Sequence, residues 1–114
     1  MNKFLYILKE RFDVQIKDEF SVLKYIGTFV NFDIDIVYAI IRIREEFGDD
    51  AEIILELKEI CCGNAMVVII VRQKIYSDNI MTILDKINSE LEENMNEFSG
   101  WVLLTSDFHN ITYF

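Results

Sequence analysis

The apolar positions Ile80, Leu84, Ile87, Leu91, Met95 and Phe98 recur every three or four residues, the strongest helical period in the chain. Ser77 or Asp78 is placed to cap this helix, and Gly100 to end it. Burying each of those side chains is worth about 1.5–3 kcal/mol, so the stripe must face a core. Upstream, the period changes to two. Ile53, Leu55 and Leu57 alternate with Glu56 and Lys58, as in a strand with one buried face. Met66 to Val71 is apolar on both faces, like a central strand, with a polar continuation to Tyr76. Between the two, Ile60-Cys61-Cys62-Gly63-Asn64 supplies turn chemistry, so they form an antiparallel hairpin. Trp101 to Ser106 reads as a third strand; beside 66–76 it would make the intervening helix a right-handed parallel crossover.

The first half is less regular. Phe4, Leu5, Leu8 and Phe12 have helical spacing, after which Phe12, Val14 and Ile16 alternate as a short strand or an extended link. Asp18 can cap a second helix whose stripe is Phe20, Leu23, Gly27 and Val30, with Gly27 weakening or ending it. Residues 32–47 carry two patterns. Phe32, Ile34 and Ile36 alternate like a strand, whereas Ile36, Ile40, Ile43 and Phe47, joined by Val37 and Ile41, repeat like a helix. Asp33 or Asp35 suits a helix start and Gly48 a stop, and length favours one helix of about four turns. The sum is a single α+β domain over residues 1–114, a two-layer sandwich with helices on one face of a small mixed β-sheet. A ferredoxin-like βαββαβ order, with residues 29–36 as its first strand, is the alternative.

Phe47-Gly48-Asp49-Asp50-Ala51-Glu52-Ile53-Ile54-Leu55-Glu56-Leu57, then Val68-Ile69-Ile70-Val71-Arg72, Ile80 to Ile87, and Gly100-Trp101-Val102-Leu103-Leu104-Thr105-Ser106-Asp107-Phe108 together resemble small uncharacterised bacterial proteins. The resemblance covers roughly the C-terminal two-thirds. It implies a strand–strand–helix–strand core and no particular activity.

Composition narrows the class. With 52% apolar and 27% charged residues the chain is globular, and its longest apolar run, Ala65 to Val71, is too short to span a membrane. The N-terminus has too short an apolar centre for a signal peptide, and Cys61 and Cys62, adjacent and alone, fit a reducing compartment; both point to a cytoplasmic protein.

Charge changes the picture most. The net charge is −9. Residues 45–59 hold Glu45, Glu46, Asp49, Asp50, Glu52, Glu56 and Glu59 against Lys58 alone, a net of −6. Residues 75–114 hold Asp78, Asp85, Glu90, Glu92, Glu93, Glu97 and Asp107 against Lys86 alone, again −6. Such a field repels nucleic acid and anionic membrane and attracts basic proteins. Glu92, Glu93 and Glu97 also load the C-terminal turns of the last helix, where the macrodipole disfavours anions. Either a cationic partner compensates them or they form a solvated face that serves solubility. Trp101 and Phe108, with Tyr113 and Phe114, could add an apolar anchor inside the acidic rim, or simply pack the core and cover an edge.

Candidate chemistry is sparse. Glu46, Asp49 and Asp50 lack the spacing of a calcium loop and read more simply as a polar turn. Cys61, Cys62 and His109 are too few for a structural zinc site, and small hydrophobes in a hairpin explain the cysteines better than a redox switch. No phosphate loop, nucleophile elbow or metal-protease motif occurs, so no cofactor is implied. The expectation is a non-catalytic binder of a basic protein, such as an inhibitor or immunity protein masking a nuclease or toxin. A small enzyme or ligand-binding regulatory domain using His109, and an accessory protein whose tail strand completes a homodimer sheet, are the other two classes.

Overall fold

The computed structural model describes residues 3–95 and 99–111. Helix α1 (Lys3–Tyr6) passes into a π-helical turn (Ile7–Arg11), followed by β1 (Val14–Ile16), α2 (Glu19–Thr28), α3 (Phe32–Phe47), β2 (Glu52–Glu59), β3 (Ala65–Arg72), α4 (Ile80–Asn94) and β4 (Val102–Thr105). The strands form one sheet in the order β1-β2-β3-β4. β2 and β3 are antiparallel, while β1 runs parallel to β2 and β4 parallel to β3. This is the α+β arrangement that the periodicities predict.

Alternation along the strands decides the layers. Ile53, Leu55, Ile69, Val71 and Leu104 join Ile36 and Ile40 of α3 and Leu84 and Ile87 of α4 in one buried core. Residues of the other parity, Ile54, Val68 and Ile70, make a separate small cluster with Met66 that contains no helical residue. The helices therefore cover one face only.

The hairpin turn fixes the register. The Asn64 amide donates to the Cys61 carbonyl (3.0 Å), and φ is 56° at Cys62 and 81° at Gly63. Two positive φ values at the central positions mark a type I′ turn, whose twist suits paired strands. The Ile60 amide donates to the Asn64 carbonyl (2.8 Å), so Cys61, Cys62 and Gly63 loop out together and the ladder is centred on Cys62; Glu59 faces Ala65, and at the far end Glu52 faces Arg72. β4 returns through α4, and its outer edge is met by a side chain of that helix. Asn88 Nδ2 donates to the Leu104 carbonyl (3.0 Å), and Asn88 Oδ1 accepts from the Leu104 amide (2.9 Å).

Several expectations are corrected. Residues 29–36 do not form a ferredoxin-like first strand; α3 begins at Phe32 because Phe32, Ile36, Ala39, Ile40 and Ile43 share one buried face, and that burial outweighs their β-branching. α2 is rotated from the stripe proposed for it. Val22 and Ile26 are buried, whereas Phe20 is 77% and Val30 84% exposed. Apolar residues surround this helix, so two stripes compete. Tyr25 and Phe29, stacked edge-on against each other and against Phe32, select the other one. Gly27 stays inside the helix. Asp18 does cap α2, accepting from the Ser21 hydroxyl at 2.8 Å. α4 starts after Asn79 and stops at Asn94, well before Gly100, and β3 stops at Arg72 rather than Tyr76. Phe98, Glu97 and residues 112–114 of the proposed tail strand lie outside the described residues; 106–111 are not in a strand. Among the described residues no helix is long and apolar enough to cross a membrane.

Candidate functional site

Both acidic blocks send carboxylates to one arginine. Arg42 lies on α3, and Glu45 and Glu46 follow one turn later on the same face, 3.2 and 3.4 Å from Nη1. From α4, Glu90 takes two hydrogen bonds, Nε to Oε1 at 2.8 Å and Nη2 to Oε2 at 3.1 Å. Tyr38, one turn earlier on α3, donates its hydroxyl to Glu90 Oε1 (2.9 Å). These donors, Arg42 first, hold the Glu90 carboxyl at about 2, well below its ordinary 4.5. Lys86, one turn before Glu90 on α4, also favours its ionised form, so two cations stand against Glu45, Glu46 and Glu90 and the cluster stays negative. Glu92 and Glu93 come next on α4, both exposed and in no ion pair among the described residues. No basic residue occupies the last turn of α4, so its C-terminal dipole adds to the same field.

The second arginine is withdrawn from water. Arg72 ends β3 opposite Glu52, the first residue of β2, and both are buried. Arg72 Nη1 donates to Glu52 Oε1 (2.9 Å), while Nε and Nη2 grip Asp107 in a fork at 3.1 and 2.8 Å. Gln15 Nε2 donates to the remaining Glu52 oxygen (3.2 Å). Glu52 is therefore an internal partner of Arg72, not a member of the outer acidic surface proposed from sequence. Its place follows from the hairpin register. Arg72 lowers the Asp107 carboxyl to about 2. Asp107 also accepts from the His109 amide (3.1 Å) and lies 3.3 Å from His109 Nδ1. The His109 ring is largely exposed, and the neighbouring Ser106 hydroxyl accepts from the Phe108 amide (3.1 Å) rather than facing the imidazole. Phe108 is exposed and lies against Tyr76, ring centres 5.1 Å apart.

Asp49 and Asp50 lie at the same end of the sheet. Parallel pairing of β1 with β2 brings Asp13 to them, around a cavity of about 220 Å³ that Gln15 and Lys74 also line. A neighbouring cavity places Asp13 and Asp49 beside Arg11 and Arg44. Arg44 spends its hydrogen bonds on the carbonyls of Phe12 (2.7 Å), Ala51 (2.7 Å) and Gly48 (3.0 Å), and burial lowers its pKa. With Lys74, Arg11 and Arg44 close by, this end is near electrical balance. Among the described residues no group of three or more His, Cys, Asp or Glu side chains could hold a metal ion.

Trp101 stands at the opposite end of the sheet, just before β4. It is 57% exposed and, with Tyr25, Phe29, Asn64 and Ala65, lines a cavity of about 370 Å³. Cys61 and Cys62 are free and exposed on the adjacent turn.

The structure thus sorts the residues proposed from sequence. Glu45, Glu46 and Glu90 meet at Arg42 between α3 and α4, Glu93 follows Glu90 at three-residue spacing, and Glu92 lies on the flank of Asn88, which faces β4. Asp49 and Asp50 lie apart among cations, Glu52 is internal, and Trp101 and Phe108 belong to different places. Sequence reasoning missed Arg42 and Arg72 as organisers. It also missed Asp13, which precedes a strand of only three residues, too short a signal to place it. Comparison with known protein families, curated proteins and solved structures finds no match for this chain.

Proposed function

We propose that this chain is a non-catalytic binding protein that holds a basic protein against the acidic ridge of α3 and α4, in the manner of an inhibitor or immunity protein that masks a cationic nuclease or toxin. One observation carries the reading. Glu45, Glu46 and Glu90 share Arg42, with Lys86 one turn before Glu90, and Glu93 extends this surface, which keeps a net negative charge. Charge on a helical ridge acts before contact. It accelerates encounter with an oppositely charged molecule and disfavours nucleic acid and anionic membrane. A second feature fits the reading: the ridge is held by interhelical bonds from Arg42 and Tyr38, so little ordering accompanies association.

Titrating the protein with polylysine in calorimetry, at rising sodium chloride, tests the proposal. Binding is expected at low salt and should fade as the Debye length falls to about 10 Å near 0.1 M. Glu45→Gln, Glu46→Gln, Glu92→Gln and Glu93→Gln together should remove most of it, whereas Asp49→Asn with Asp50→Asn should leave it. No heat at low salt, or equal loss from both sets, overturns the reading.

A further inference from the structure

The cavity beside Trp101 is built like a receptor for a planar cation. Its volume of about 370 Å³ is open to solvent, and three aromatic side chains, Tyr25, Phe29 and Trp101, line it. The walls are fixed. The Tyr25 hydroxyl donates to the Ala65 carbonyl (2.8 Å) and accepts from the Trp101 amide (3.1 Å). The Trp101 carbonyl accepts from the Val67 amide (2.8 Å). Phe29 stands edge-on to Tyr25, with ring centres 5.1 Å apart. Gly100 lets the chain pass this close, since a Cβ there would lie 2.6 Å from the Phe32 ring. The indole thus remains exposed on a pinned backbone.

The sheet sets an anion beside the cavity. Glu59 is the ladder partner of Ala65, so both side chains leave the sheet on the same face. Glu59 is exposed and in no ion pair among the described residues, while Lys58 leaves on the opposite face. α4 connects two parallel strands and so runs back to this end, where it finishes with Glu92, Glu93 and its negative pole. Neither Glu59 nor Lys24, which precedes Tyr25 on α2, lines the cavity; Glu59 stands beside it as the ladder partner of the lining residue Ala65.

The geometry points to this cavity as the seat of an arginine side chain from the basic partner, its guanidinium face against the aromatic rings and its charge toward Glu59. The inference rests on the binding function proposed above and names its anchor. Guanidinium suits the site better than ammonium because it is planar, weakly hydrated and stacks on aromatic faces.

Trp101 is the only tryptophan, so its emission reports this cavity alone. Titration of the intact protein with acetyl-Gly-Arg-Gly amide should change that emission saturably, and the uncharged citrulline peptide should not. Glu59→Gln should weaken the arginine peptide about fivefold, and Trp101→Ala, followed by calorimetry, about tenfold. Because Trp101 is exposed, the Trp101→Ala fold is checked by circular dichroism. An equal response to citrulline, no response to arginine, or full affinity in Glu59→Gln overturns the assignment. Polylysine binding without any arginine-peptide response leaves the acidic ridge standing and removes the anchor. An arginine-peptide response without polylysine binding keeps the cavity as a guanidinium site and removes the ridge.

Discussion

Arg42 and Arg72 each hold several carboxylates, yet water separates their consequences. The Arg42 side chain is 16% exposed and its partners Glu45 and Glu90 60% and 26%, whereas Arg72 is 9% exposed and Glu52 3%. In the outer cluster solvent screens every charge, so the pairings add little to stability and the surplus negative field reaches outward. In the inner network the charges have lost their hydration and depend on one another, so the pairing is needed but broadcasts little. The same chemistry thus leaves a surplus of charge facing water on the helices and secures integrity at the sheet end.

The comparison breaks most visibly at Arg72. Arg72→Ala strands Glu52 in the interior and should destabilise the fold by about 3–5 kcal/mol, read from denaturant unfolding. Glu52→Leu combined with Arg72→Met should recover most of that loss, because two apolar side chains need no partner. Arg42→Ala should cost only about 1 kcal/mol or less, with the difference vanishing in high salt. In polylysine titration it should bind more tightly than the parent, since a cation has left the ridge; Arg72→Ala, where folded, should not.

Acid sharpens the contrast. Folded Glu90 and Asp107 titrate near 2, below ordinary values of 4.5 and 3.8, so each contributes stability that is present above about pH 4.5 and lost as pH falls toward 2. Asp35 has the opposite sign: burial, then Asp33, raises its pKa, so its protonation in acid relieves the fold. Carboxyl titration by NMR should find Glu90 returning toward 4.5 in Arg42→Ala alone, and Asp107 toward 3.8 in Arg72→Ala alone. The smallest effect belongs to the end of α4. Glu93→Gln should stabilise by about 0.3–1 kcal/mol at low salt, measured by thermal unfolding, because it removes an anion from the negative pole.

Part of this was legible beforehand. A turn centred on Cys62 dictates the ladder that sets Glu52 against Arg72, and the spacing of Arg42 to Glu46 is that of a helical ion pair. Both arginines could have been found from those two rules. Glu90 and Asp107 could not, because they arrive from elements distant in sequence whose placement depends on packing. The phase of α2 was hidden for another reason. When apolar residues surround a helix, no single stripe stands out, and the neighbour decides which one is buried. The π-helical turn at Ile7–Arg11 has no sequence signature, since its apolar spacing passes for an ordinary helix.

The amide of Asn88 occupies one rung of the sheet's β4 edge. By engaging both main-chain groups of Leu104 it stands in for a fifth strand and leaves a visiting chain no rung to grasp at that point. A strand arriving there would first have to displace that side chain, so the β4 edge carries its own guard against zipping.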